Sequence, residues 1–125
     1  MIDKFEEIDN QIKLARKAQF EISTYSQERI DELVQLLAWA IFRDDHALHL
    51  AKIAVEDTGL GNVSDKVKKN KRKTFGTLCD LMAVKSVGLV ENDTARGLLT
   101  YCKPIGVVGT LTPSTNPAAT PANQA

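Results

Sequence analysis

Lys103-Pro-Ile-Gly-Val-Val-Gly-Thr-Leu-Thr-Pro-Ser-Thr-Asn-Pro117 is the stretch whose reading decides the fold class of this chain. The Ile105–Leu111 run is rich in Val and Gly and shows no polar alternation, which predicts a strand covered on both faces. Parallel sheets place their ligands beyond the carboxyl ends of such strands, where Thr112 to Asn116 sits. Eight residues follow Pro117, too few to complete the sheet that this strand implies. A chemistry-bearing segment so near the end of a chain is expected of a fragment.

Upstream the pattern is helical. Phe5, Ile8, Ile12, Ala15 and Ile22 mark a narrow, alanine-rich stripe on a first helix, expected to pack closely against a neighbouring helix. Ser26 is placed to cap a second helix, with Glu28 in its first turn and Ile30, Leu33, Val34, Leu37 and Ile41 on its buried face. Asp44 or Asp45 is expected to cap a third helix carrying Leu48, Ala51 and Val55, which stops at Gly59 as a left-handed residue. Ser64 is expected to cap a fourth, containing the basic run and then Phe75, Leu78, Leu81 and Met82. Val87–Glu91 and Leu98–Tyr101 flank the turn-like Asn92-Asp-Thr-Ala-Arg-Gly97 and read as two short strands. Helices, a strand pair and then the start of a parallel unit make an α/β or α+β chain; α/β is the class expected. Residues 1–86 form a helical region, 87–103 the strand pair, and 104–125 the start of a further domain.

Length and composition narrow the class. The chain has 125 residues, 43% hydrophobic and 26% charged, as in ordinary globular domains, while aromatics at 6% leave an aliphatic and alanine-based core. Formal net charge is zero but unevenly spread: residues 1–57 carry 12 acidic and 7 basic side chains, net −5, and residues 58–125 carry 4 and 9, net +5. No signal peptide or membrane-length apolar run is visible, so no membrane partner is expected. Cys79 and Cys102 are too few and too far apart for a disulfide framework or a Cys-x-x-Cys site, which points to a reducing, cytoplasmic compartment.

Asn116 stands between Pro113 and Pro117, which fix their own φ angles and restrict the residues before them. Such a frame suits a carboxamide N–H held where a carbonyl oxygen gains charge during reaction. The same residues also describe a plain turn. Lys66, Lys68, Lys69, Lys71, Arg72 and Lys73 spread around a helical cylinder rather than forming one stripe, so a solvated face is favoured over nucleic-acid binding. His46 and His49 with Asp44 and Asp45 lack a second ligand cluster, and no metal is expected. Gly59-Leu-Gly61 follows a helix and lacks the third glycine of a dinucleotide loop.

Three segments resemble the N-terminal part of the CoA-acylating aldehyde dehydrogenases, within the aldehyde dehydrogenase superfamily. They are Tyr25-Ser-Gln-Glu-Arg-Ile-Asp31, Ala54-Val-Glu-Asp-Thr-Gly-Leu-Gly-Asn-Val-Ser-Asp-Lys-Val-Lys-Lys-Asn70, and Lys103-Pro-Ile-Gly-Val-Val-Gly through Thr115-Asn-Pro117. The resemblance includes the lysines at Lys66 and Lys69. It implies that Asn116 is the oxyanion-hole asparagine and that Thr112, Pro113, Ser114 and Thr115 run beside the nicotinamide of NAD or NADP. It also implies that Ile105–Leu111 is the first strand of an incomplete Rossmann-like nucleotide-binding domain, with Thr120–Ala125 opening the helix after it. Residues 87–103 resemble the strand pair used in subunit association, so a homo-oligomer is expected of the complete enzyme.

By the same resemblance, the complete enzyme oxidises a short-chain aldehyde and passes the acyl group to coenzyme A. Acetaldehyde, succinate semialdehyde and sulfoacetaldehyde all remain open, as do the choice of NAD or NADP and association with a microcompartment. The family's nucleophilic cysteine lies downstream of the matched segments. Cys79 and Cys102 do not occupy its context and are expected to be small buried or half-buried residues. The isolated chain is therefore expected to be inactive. The alternatives from the residues alone are a non-catalytic helical interaction module and a basic-helix nucleic-acid binder.

Overall fold

A computed structural model describes residues 4–125, so residues 1–3, the start of the expected 1–86 region, lie outside the described residues. The elements run α1 (Lys4–Ile22), α2 (Gln27–Phe42), α3 (Asp44–Thr58), α4 (Val63–Met82), β1 (Gly88–Asp93), β2 (Leu98–Cys102) and α5 (Ala119–Gln124). They fall into two compact units, each discontinuous in sequence. One comprises the residues up to Ile30 with Lys85–Gly109, and the other Asp31–Val84 with Thr110–Ala125.

In the first unit, Ser26 opens α2 as its sequence predicts. Its Oγ accepts from the Arg29 N–H at 3.4 Å, and its carbonyl from the Ile30 N–H at 3.0 Å. Gln27 then ties this helix start to the strand pair, because its Oε1 accepts from the backbone N–H groups of Ser86 at 2.8 Å and Val87 at 3.0 Å. β1 and β2 pair antiparallel from Gly88↔Cys102 to Asp93↔Leu98, with a bulge between Leu89 and Glu91. Asp93 closes the connecting turn by accepting from the Arg96 N–H at 3.0 Å, and Gly97 supplies the positive φ of 66° that the turn requires.

Two expectations change here. Phe5, Ile8, Ile12 and Ile22 of α1 remain exposed instead of being buried against a helix. Ile8, Ile12 and Ala15 instead share an open groove with Val107–Gly109. The Ile105–Leu111 segment carries no strand pairing. Gly106, at φ 109°, leaves the β region, and no described residue pairs with the segment. A strand exists only as one side of a ladder.

The second unit is built on close packing of α3 against α4. Ala47, Ala51 and Ala54 on α3 are buried, facing a stripe of three residues spaced four apart, Lys66, Asn70 and Thr74, on α4. Small side chains let the two axes approach closely, and the Asn70 Nδ2 donates to the Ala47 carbonyl at 3.4 Å. The expected alanine-based core is therefore present, and among the described residues no large side chain is fully buried. Phe42 stands between Trp39 and Phe75, with ring centroids 6.2 and 5.7 Å apart.

The helix ends correct two capping expectations. Arg43 is the N-cap of α3 and makes no side-chain cap bond; Asp44 and Asp45 lie within the first turn. There they meet the positive end of the helix dipole and pair with Lys71 and Arg43. α4 is capped by Asn62 rather than Ser64, since the β-region backbone of Asn62 lets its side chain reach the Asp65 N–H. Gly59 ends α3 as expected, left-handed at φ 66°, its N–H donating to the Val55 carbonyl.

Candidate functional site

The loop ahead of α5 is assembled on α4, within the second unit. Asn62 starts that helix firmly: its Oδ1 accepts from the Asp65 N–H and the Ser64 hydroxyl, both at 2.9 Å, and its Nδ2 donates to Asp65 Oδ2 at 2.7 Å. This side-chain bond from Asn62, helped by the charge of Lys68, holds the Asp65 carboxyl below the usual carboxylate range.

One turn further along α4, Lys66 and Lys69 lie three residues apart and so share a helix face. Both ammonium groups donate to the Thr115 carbonyl oxygen, Lys66 Nζ at 3.3 Å and Lys69 Nζ at 2.9 Å. Lys66 is only 8% exposed. The far end of the loop is fixed to the same helix, where Asn123 Nδ2 donates to Thr77 Oγ1 at 3.0 Å. Ala119, at the start of α5, is completely buried.

Between these anchors, the Asn116 N–H donates to the Pro113 carbonyl at 3.0 Å, closing a turn over Pro113–Asn116. Asn116 Nδ2 donates to Thr120 Oγ1 at 2.9 Å. The plain turn expected of these residues is present, and the Asn116 carboxamide is held separately, by Thr120. Asn116 is half-buried, whereas Thr112, Pro113, Ser114 and Thr115 are exposed. A carboxamide carries two N–H donors, so one held by Thr120 leaves a second with a restricted direction. Such a group can stabilise negative charge forming on an oxygen.

The basic run is the expected solvated face only in part: Lys68, Arg72 and Lys73 are exposed, Lys69 and Lys71 are half-buried, and Lys66 is buried. Lys66 and Lys69 are committed to Thr115. Lys71 pairs with Asp44 and stands 5.2 Å from the Phe42 ring centroid, and Lys68 lies 3.5 Å from Asp65. Cys102 is half-buried, as expected, but Cys79 is exposed. It lies about half a turn around α4 from the buried Asn70 stripe. His46 and His49 are exposed, and His46 Nδ1 lies 2.7 Å from the Ala40 carbonyl oxygen. No group of three or more His, Cys, Asp or Glu among the described residues is placed to hold a metal ion. No helix among them is long and apolar enough to cross a membrane.

Sequence reasoning missed Lys66 and Lys69 as anchors, Thr120 as the partner of Asn116, and the Asn123–Thr77 bond. Nothing local marked the lysines, because three-residue spacing also joins Lys68 to Lys71 and Lys69 to Arg72 within the same run of six cations. For Thr120 the signal was a four-residue spacing from Asn116 at a helix start. Nothing local pairs Asn123 with Thr77, 46 residues away.

No protein-family model matches the chain. The chain is 51% identical over 114 residues to a sulfoacetaldehyde dehydrogenase of Acholeplasma sp, covering 91% of this chain and 24% of that protein. It is 47% identical over 113 residues to a sulfoacetaldehyde dehydrogenase (acylating) of Bilophila wadsworthia, covering 90% and 24% respectively. Its fold superposes on an acetylating aldehyde dehydrogenase of Geobacillus thermoglucosidasius with a TM-score of 0.90 at 34% identity, over 95% of this chain and 26% of that one. The chain therefore spans about a quarter of the length of these relatives.

Proposed function

Because the chain belongs to the acylating aldehyde dehydrogenase family, as an N-terminal portion, we propose that it supplies the oxyanion-side loop of an enzyme that oxidises a short-chain aldehyde to its acyl-CoA. The observation that carries the proposal is the Asn116 carboxamide, half-buried and held at Nδ2 by Thr120 while its backbone N–H is held by Pro113.

When a cysteine thiolate adds to the aldehyde carbon, the carbonyl oxygen takes up negative charge. Asn116 then donates its remaining N–H to that oxygen, and the donor is already oriented, so no reorganisation is needed during reaction. The thiolate comes from residues other than Cys79 and Cys102. Thr112, Pro113, Ser114 and Thr115 form the exposed side of the turn, open for a nicotinamide ring to lie along it. NAD or NADP, when bound, accepts the hydride, and coenzyme A accepts the acyl group. The strand pair of residues 87–103 serves subunit association in a cytoplasmic homo-oligomer, which suits the exposed Leu98, Leu99 and Tyr101 on β2. Sulfoacetaldehyde, which the two relatives' names give as their substrate, is the first aldehyde to assay. The 125-residue chain by itself turns over no aldehyde.

Asn116→Ala in the complete enzyme tests the assignment. The expected result is a fall in kcat of about 10²–10³ with little change in KM for the aldehyde. A kcat close to that of the unmodified enzyme overturns it.

A further inference from the structure

We propose that Lys66 and Lys69 are positioning residues for Asn116, acting through the Thr115 carbonyl. This rests on the oxyanion reading of Asn116 for its functional meaning, and on geometry of its own for the positioning. A peptide unit is planar, so holding its oxygen and its N–H fixes the whole plane. In the Thr115–Asn116 unit the oxygen accepts from two ammonium groups, at 3.3 and 2.9 Å, and the N–H donates to Pro113 at 3.0 Å. The side chain beyond it is held separately at Thr120. Nothing between α4 and the carboxamide is then left to rotate freely.

The burial of Lys66 argues in the same direction. A lysine is rarely taken out of water unless its charge is paired or hydrogen-bonded, yet Lys66 is 8% exposed and its ammonium meets a backbone carbonyl. Its stem runs beside Gly61, where an added Cβ would lie 3.5 Å from Lys66 Cε. Hydrogen bonds from a charged donor are roughly twice as strong as neutral ones. Two of them on one carbonyl polarise that amide and strengthen its N–H as a donor toward Pro113. A misplacement of about 1 Å at a reacting centre costs about 10²-fold in rate, so the lysines are read in kcat although they need not touch the aldehyde.

The test uses the complete enzyme carrying Lys66→Met, Lys69→Met and both, each also combined with Asn116→Ala. We expect each single variant to lower kcat about tenfold and the pair about 10²-fold, with KM for the aldehyde within about twofold. Lys69→Arg keeps a charged donor and should retain most of kcat. In the Asn116→Ala background the lysine substitutions should cost almost nothing further, because coupled residues are not additive. Effects that simply multiply with Asn116→Ala, or a lowered melting temperature at unchanged kcat, overturn the proposal. If Lys66→Met does not fold, the less buried Lys69→Met carries the same comparison.

A normal kcat in Asn116→Ala alone rejects the oxyanion reading instead. The positioning is then decided by a crystal structure of the Lys66→Met/Lys69→Met enzyme. A displaced Thr115–Asn116 peptide supports it, and an unmoved one overturns it.

Discussion

Asn116 and Thr120 are joined side chain to side chain, Nδ2 to Oγ1 at 2.9 Å, across the boundary between loop and α5. The carboxamide is therefore aimed by the helix that follows it, and that helix is held on α4 through Ala119 and Asn123. The proposed donor thus takes its orientation from a helical layer, whereas the apolar segment preceding the loop is unpaired.

Thr120→Val removes the acceptor while keeping the side chain's shape. A hydrogen bond of this kind is worth about 1 kcal/mol, so kcat of the complete enzyme should fall about fivefold, with KM nearly constant. Thr120→Ser, which keeps the hydroxyl, should lie close to the unmodified enzyme. Steady-state kinetics on the two variants decide the matter, and equal losses in both would contradict a role for the hydroxyl.

At the start of α4, the hydrogen bond from Asn62 depresses the Asp65 carboxyl. A carboxyl depressed on folding contributes stability that is present above its unfolded-state pKa and is lost as pH falls through the folded one. The difference in stability between the unmodified protein and Asp65→Asn should accordingly persist at neutral pH and disappear in acid below the ordinary aspartate range. A carboxyl-carbon titration by NMR should place Asp65 below that range, and Asn62→Ala should move it back up. The lost cap should also cost the fold about 1 kcal/mol in urea denaturation.

Gly59 ends α3 at φ 66°, and an added Cβ would meet nothing within 4 Å. Gly59→Ala therefore tests backbone conformation without steric interference. A left-handed alanine costs about 1–2 kcal/mol, measurable as a lower urea midpoint at unchanged slope. Gly59→Asn should recover part of it, since asparagine visits this region more readily.

The helices and hairpin were legible because their signals are local: three- and four-residue apolar spacing for α1 to α4, and a turn between two apolar runs for β1 and β2. Gly59 was legible for the same reason, a single residue type at a helix end. The cap of α4 was misplaced by two residues because Asn62 and Ser64 are both good capping residues and only the backbone conformation chooses between them, while α3 starts after Arg43, a residue that makes no side-chain cap bond and so leaves no capping signal. Asn116 could be singled out from its two prolines, but its anchors could not. Lys66 and Lys69 lie 49 and 46 residues from Thr115, and nothing in a run of cations says which two turn inward. Ile105–Leu111 shows the opposite limit: its composition is that of a strand, but pairing is non-local and no described residue pairs with it.

The seam between α3 and α4 sets an unusual rule for sequence variation. Ala47, Ala51 and Ala54 are buried yet already carry the smallest side chain with a Cβ, so hollowing them out is scarcely available as a form of damage. Apart from glycine, every exchange there makes the residue larger, and overpacking costs about 1–3 kcal/mol. A scan of all substitutions should find these three positions strict about volume, with serine tolerated because its hydroxyl can bond the carbonyl one turn back and leucine rejected. Along this part of the chain, added bulk is the change that selection would detect first.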